Sequence, residues 1–397
     1  MESKAKSKFA FMKGFDYPLL LVVLGLCALG FAIVYSGSVN VAMAKGSSAA
    51  GEYLFRHLIY LLAGFGLLFF GSMFDHSVWK KFSHLCFGGG VLLLFLVFLM
   101  GKEVNGAQRW LEIGGVQIQP SEMVKFSVAV WISAKFSILK MPIADWKDYG
   151  IKMAQCFGVM LIIVFFLIKQ PNYSMLLMIC IVCFAVMVVA EIPWKYLMGS
   201  VGIVGVPLLI VGLFQRYRVE RIVSFLNPEE NAQGSAYQVI NMMTAIGNGG
   251  IFGKGIGKGT QKLGFVPEVN TDGVFALIGE ELGYLGSAGI LLAFAFLFYR
   301  GALIAERARS NFARYLSVFI IGYLAMNTLI HIAVCLGCAP PTGQPLPFIS
   351  VGGSNLCMNL FMIGVLLNIS RENTGKSIAF DGVNSRYSIQ KARYQGG

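Results

Sequence analysis

Charge is what this chain has least of. Only 13% of its 397 residues are Asp, Glu, Lys or Arg, whereas 56% are hydrophobic, and a water-soluble globular domain would need roughly twice that charge to cover its surface. Histidine is scarce too, with four residues scattered singly and no HxxxH pair. The eight cysteines lie in or beside apolar stretches. Cys180/Cys183 and Cys335/Cys338 have zinc-like spacing, but no polar partners cluster with them, so they read as packing residues rather than as a metal cage. No segment matches GxxxxGK[ST], which excludes a nucleotide P-loop. No repeat at a fixed period is visible, and an inverted-repeat transporter therefore finds no support in the sequence.

What is present is a series of apolar runs of about 20 residues, the length that crosses a bilayer's hydrocarbon core. They fall at 15–35, 55–74, 82–100, 121–138, 151–168, 173–190, 196–214, 273–299, 313–337 and 348–369. A transmembrane barrel would alternate apolar with polar residues, but the third run is unbroken from Val91 to Met100. The expected fold is all-α, a polytopic membrane protein of about ten transmembrane helices with one large extracytoplasmic loop, 215–272, between spans seven and eight. A basic tail over 1–14 and a polar tail over 370–397 flank a single membrane domain over 15–369. The first run is too long for the apolar core of a signal peptide and reads as a retained span.

Lysine and arginine set the orientation. They crowd the N-terminal tail, Lys80 and Lys81, Lys135 to Lys152, the 300–314 loop and the C-terminal tail, so both termini are expected in the cytoplasm and the long loop outside. The net charge of +12 follows from this positive-inside pattern and does not call for nucleic acid.

Three outer segments carry the polar and glycine-rich character of a site: 105–122, the long loop and 340–354. Glu122 and Lys125 stand three apart at the start of the fourth span and share a helical face. They make either a structural ion pair or the lining of a polar cavity, with Lys125 open to an anionic substrate. Asp272, just before the eighth span, is either a helix N-cap or a general base or metal ligand at the water boundary. Glu280 and Glu281 follow inside that span, where a carboxylate is costly unless it has a partner. In the loop, glycines surround Lys254 and Lys258, with Lys262 beyond; this is a pyrophosphate cradle or a flexible turn. Arg109 and Trp110 come from a loop, where Trp anchors at an interface or stacks on a sugar while Arg binds phosphate.

Taken together the outer segments resemble the SEDS family of bacterial shape, elongation, division and sporulation proteins. The resemblance rests on Gly106-Ala107-Gln108-Arg109-Trp110, Gln119-Pro120-Ser121-Glu122 with Lys125, Tyr237-Gln238, Ala245-Ile246-Gly247, Gln261-Lys262, Pro267-Glu268 and Thr271-Asp272. It continues through Gly279-Glu280-Glu281-Leu282-Gly283 and Pro345-Leu346-Pro347-Phe348-Ile349-Ser350 with Gly352-Gly353-Ser354. Gly259 to Lys262, Ile278 to Gly283 and Thr342-Gly343-Gln344 are more similar to the division branch, FtsW, than to the elongation branch, RodA. The chain departs from the family's usual residues at Asn172, Gly273, Val351 and Asn355.

The resemblance implies a peptidoglycan glycosyltransferase that polymerises lipid II on the outer face of the cytoplasmic membrane, at the septum. Its partners would be undecaprenyl-pyrophosphate-linked glycan, a class B penicillin-binding protein transpeptidase and other divisome proteins. It further implies that Asp272 is the essential carboxylate and the residue at which a divalent cation, Mg or Mn, would bind. No nucleotide is required. Arg109, Trp110, Glu122, Lys125, Lys258, Lys262, Glu280 and Ser350 are the expected substrate-binding residues around it. Two other readings stay open: a transporter that flips lipid-linked precursor, and a scaffold that recruits division proteins.

Overall fold

A computed structural model describes residues 14–371 apart from 46, 105–106, 114–115, 140–142, 144, 227–234 and 263–268. Both tails proposed from sequence thus lie almost wholly outside the described residues, as does Pro267-Glu268. Helices occupy each of the ten apolar runs. They are α1 Tyr17–Lys45, α2 Ser47–Met73, the short α3 His76–Lys81, α4 Ser83–Met100, α5 Pro120–Ser137, α6 Trp146–Phe157 continuing into α7 Leu161–Lys169, and α8 Tyr173–Val189. After these come α9 Trp194–Ser200, joined by a π-turn to α10 Val206–Leu213, then α11 Arg216–Leu226, α12 Ser235–Gly249, α13 Val274–Arg307, α14 Asn311–Cys335 and α15 Gly353–Arg371. Eight of the helical segments are long and apolar enough to cross a membrane. Of the other two, α8 is an apolar helix of 17 residues, and α5 has 18 residues with Glu122, Lys125 and Lys135 among them.

Packing is densest around α15, which is buried along 83% of its apolar window. Between apolar helices in lipid there is no hydrophobic gain from leaving water, so close backbone approach through small residues has to supply the contact. A Cβ on Gly364 would meet the Leu68 carbonyl oxygen at 2.1 Å, and one on Gly71 the Phe361 oxygen at 2.7 Å. Glycine thus lets α2 and α15 touch backbone to backbone. At the opposite end from the site, Arg300 of α13 holds Asp16 through two bonds of 3.1 and 2.6 Å, while the Asp16 amide donates to Ser370 Oγ at 3.1 Å.

Two findings differ from the all-helical expectation. The segment after α4 is a three-stranded antiparallel sheet, β1 Lys102–Val104, β2 Ala107–Ile113 and β3 Val116–Ile118, in which Trp110 opposes Lys102 and Leu111 opposes Ile118. Arg109 and Trp110 therefore sit on a strand, not in a loop. The long polar loop is also not simply a loop, since α11 and α12 lie within it.

Candidate active site

Asp272 stands where the long loop meets the 340–354 segment, to which the first outer segment, 105–122, is tied in turn. Hydrogen bonds tie the meeting together: Val351 N donates to the Asn270 carbonyl at 2.9 Å, and Ser350 Oγ donates to the Thr271 carbonyl at 2.7 Å while accepting from Leu346 N at 2.9 Å. Gln119 N reaches Ser354 Oγ at 3.0 Å, and Arg221 of α11 holds the Pro341 carbonyl at 2.8 Å. Ser350 thus has its hydroxyl engaged on both sides, and it fixes the backbone that carries Asp272. The turn is also pressed against α1, because a Cβ on Gly37 would lie 1.7 Å from Asn270 Oδ1. Helix α13 starts at Val274, with Gly273 in the N-cap position, so Asp272 lies one residue outside the cap. Half-buried, it lines a small cleft together with Gln238 of α12, His331 of α14 and Thr342, Gly343 and Gln344 of the proline-rich turn.

The glycine-rich segment solves a different problem from the one its composition suggests. Helix α13 is broken at Gly283, whose φ of 69° and ψ of −166° leave the helical region, and a break leaves buried amides and carbonyls without helical partners. The segment supplies them. Lys254 N and Gly255 N donate to the Glu280 and Glu281 carbonyls at 3.0 and 2.9 Å, while the amides of Tyr284 and Leu285 donate to the Gly250 and Ile251 carbonyls at 2.9 and 3.1 Å. Only glycine permits this approach, since a Cβ on Gly253 would meet the Glu281 oxygen at 2.2 Å at a φ of +79°.

The carboxylates of the same span clamp the segment's side chains. Glu280 accepts from Lys254 Nζ at 2.7 Å, from the Thr260 amide at 2.9 Å and from Gln261 N at 3.1 Å. Glu281 pairs with Lys262 Nζ at 2.7 Å, and Ser36 Oγ donates to the same oxygen at 2.5 Å. Lys262 and Glu281 are 1% and 0% exposed. In this conformation Glu280 and Lys262 are therefore held inside the fold, while Lys258 is exposed and, among the described residues, makes no ion pair.

Glu122 and Lys125 do pair, at 2.6 Å, and both are buried. Lys125 Nζ also donates to Asn359 Oδ1 at 2.8 Å and lies 5.1 Å from the centre of the Tyr323 ring. Asn355 Nδ2 donates to Glu122 Oε2 at 3.0 Å, and Asn359 Nδ2 to Asn355 Oδ1 at 2.7 Å. This closed network joins α5 to α15, and Asn355, a departure from the family's usual residue, is one of its members. Arg109 caps the turn after α7, its Nε and Nη2 on the carbonyls of Gln170 and Pro171 at 2.9 and 2.7 Å. Trp110 is half-buried on β2. Asn172, where an acid is usual in the family, donates to Ser121 Oγ at 3.2 Å.

Among the described residues no three of His, Cys, Asp and Glu gather into a metal-binding group. Asp272, the one carboxylate among the described residues lining the cleft, does not by itself make a cage for a metal held by protein alone.

The model of the cell cycle protein family FtsW/RodA/SpoVE matches residues 17–375. The chain belongs to this family. It is 34% identical to the probable peptidoglycan glycosyltransferase FtsW of Trichlorobacter lovleyi over 90% of this chain and 93% of that one. Identity is also 34% with stage V sporulation protein E of Bacillus subtilis, over 90% and 97% of the two chains. Among solved structures it is similar to a chain from a study titled "Structural coordination of polymerization and crosslinking by a peptidoglycan synthase complex", with a TM-score of 0.74, 26% identity and coverage of 92% of this chain and 100% of that one. The rod shape determining protein RodA of Thermus thermophilus gives a TM-score of 0.66 at 26% identity, covering 92% and 99%. With its apolar helices, membership of the FtsW/RodA/SpoVE family makes this a multi-pass membrane protein.

Of the residues singled out from sequence, Asp272 lines the cleft, Ser350 supports its backbone, Lys262, Glu122 and Lys125 lie in buried ion pairs, and Glu280 is a buried carboxylate paired with the half-buried Lys254. Gln238, His331, Thr342 and Gln344 were not singled out for the site. Tyr237-Gln238 and Thr342-Gly343-Gln344 carried a signal, as parts of the family resemblance; His331 carried none, as a lone histidine in an apolar span.

Proposed function

We propose that this protein is a peptidoglycan glycosyltransferase of the division type, which polymerises lipid II on the outer face of the cytoplasmic membrane at the septum. The observation that carries the reading is Asp272, a half-buried carboxylate just outside a helix cap, in a cleft lined by the long loop, the proline-rich turn and α14 of a chain from this family. Its relatives named FtsW and the similarity to a peptidoglycan synthase complex agree with it. Both termini are placed in the cytoplasm in this reading, which the distribution of lysine and arginine supports.

In the proposed reaction Asp272 takes the proton from the 4-hydroxyl of the acceptor sugar as that oxygen attacks the anomeric carbon of the lipid-linked strand. A carbon–oxygen bond forms with inversion, the bond to phosphate breaks, and undecaprenyl pyrophosphate leaves with the bonding pair. A carboxylate at the water boundary can stay ionised and still reach a lipid-borne substrate. A divalent cation, if bound, would be held by Asp272 and would supply positive charge to stabilise the leaving group. Among the cations expected to meet pyrophosphate, Lys258 is the exposed one. Lys125 and Lys262 are assigned instead to holding the frame: removing either would leave a buried carboxylate unpaired. The partner is a class B penicillin-binding protein that crosslinks the strands.

The test supplies purified protein with lipid II, alone and with its class B partner, and in parallel follows labelled lipid II across the bilayer of proteoliposomes. Glycan strands without translocation are the expected result. Translocation without polymer would replace the enzyme by a transporter, and neither activity would leave a scaffold.

A further inference from the structure

His331 is the buried polar group at the cleft that the proposed reaction leaves without a task. It is 2% exposed on the last turns of α14. Its Nδ1 lies 2.8 Å from the Gln344 carbonyl oxygen. A carbonyl only accepts, so Nδ1 carries the hydrogen. In the neutral ring this makes Nε2 an acceptor, and Nε2 is buried with no hydrogen-bond partner among the described residues. A buried acceptor left unpaired costs free energy and is rare enough to require a reason. The residue lines the same cleft as Asp272 and Gln238, so a ligand that enters the cleft and displaces what covers Nε2 would bring the missing partner.

We propose that His331 is a substrate-contacting residue, whose Nε2 accepts a hydrogen bond from a hydroxyl or acetamido N–H of the saccharide bound beside Asp272. The inference rests on the glycosyltransferase reading. The ring does two separable jobs: Nδ1–H fastens the 340–344 turn to α14, and Nε2 is left to accept from the sugar. Sugar donors fit the site better than phosphate, because phosphate offers an acceptor no hydrogen. The imidazole also has a fixed aim, since the Gln344 bond sets the ring about its χ angles and the proton about its nitrogens.

The two jobs separate in two amides. Asn places an N–H near Nδ1 and nothing near Nε2, whereas Gln reaches the Nε2 position and abandons the turn. Polymerisation kinetics against lipid II concentration, with the class B partner present, are compared for wild type, His331→Asn and His331→Gln, alongside melting midpoints. The expected result is a melting midpoint for His331→Asn near wild type with KM raised about three- to tenfold, the worth of one net hydrogen bond. His331→Gln should keep KM within about twofold and melt lower. A KM for His331→Asn equal to wild type, or the reverse order of the two variants, overturns the inference and leaves His331 a structural anchor. Should His331→Asn not fold, His331→Phe replaces it: Phe and Gln both abandon the turn, so a KM raised in His331→Phe over His331→Gln isolates Nε2, and equal KM values overturn the inference. Failure of the underlying reading is distinct, because wild type itself would then make no glycan.

Discussion

Replacing Lys262 by Met separates a frame residue from a substrate ligand. The ammonium is 1% exposed, and it is held by Glu281 Oε1 at 2.7 Å and Ser36 Oγ at 2.6 Å; Glu281 itself is 0% exposed. Removing one member of a buried pair strands the other charge at a cost of about 3–5 kcal/mol, whereas replacing both by apolar groups of similar volume is close to neutral. Lys262→Met and Glu281→Leu should each lower stability by that amount. If the sites were independent the double variant would lose roughly 6–10 kcal/mol, but a coupled pair predicts a loss of about 1–2 kcal/mol, the remainder being the abandoned Ser36 hydroxyl. Detergent-solubilised variants heated in steps and scored for folded monomer give the order of stability, and polymerisation of lipid II gives function. The double variant is expected to recover both. A double variant that is stable but inactive would refute the reasoning, since Lys262 would then act on substrate directly.

Two further outcomes follow from the packing. Gly37→Ala should destabilise by roughly 1–3 kcal/mol and slow polymerisation, because its new Cβ would lie 1.7 Å from Asn270 Oδ1 and push the turn that carries Asp272; melting midpoint and rate are measured on the same preparation. In a variant keeping Cys338 as its sole cysteine, a membrane-impermeant maleimide should label intact spheroplasts, since Cys338 is exposed beside the outer segments, and labelling only after permeabilisation would invert the topology.

Most of the helical frame was legible because bilayer thickness imposes a length on apolar runs that no soluble protein needs. Ends were less so: α1 runs on to Lys45 and α13 to Arg307, beyond the apolar runs, because backbone hydrogen bonding continues past the last apolar residue. The break at Gly283 was not legible. Ile278 to Gly283 has helical composition, and the partners that make a break tolerable come from residues about thirty positions earlier, a relation that no local period reveals. The Glu122–Lys125 pair could be read because its members are three apart on one helix. The pairs of Glu280 with Lys254 and Glu281 with Lys262 could not, being formed by chain reversal. The strands around Trp110 escaped because the first and third have three residues each and the second, Ala107–Ile113, does not alternate apolar with polar. At the site, Asp272 stood out as a carboxylate at a span mouth, whereas His331 depended on where a distant proline-rich turn would fold.

The central claim, that Asp272 removes the proton in glycan polymerisation, is tested most directly by comparing wild type, Asp272→Asn and Asp272→Glu for strands made from lipid II with the class B partner and Mg or Mn present. Melting midpoints are taken alongside to verify folding. Asp272→Asn should fold as wild type does and make no polymer, having the shape of aspartate without its basicity, while Asp272→Glu should retain a small activity. Polymer from a folded Asp272→Asn at the wild-type rate would contradict the account and remove this carboxylate from the mechanism.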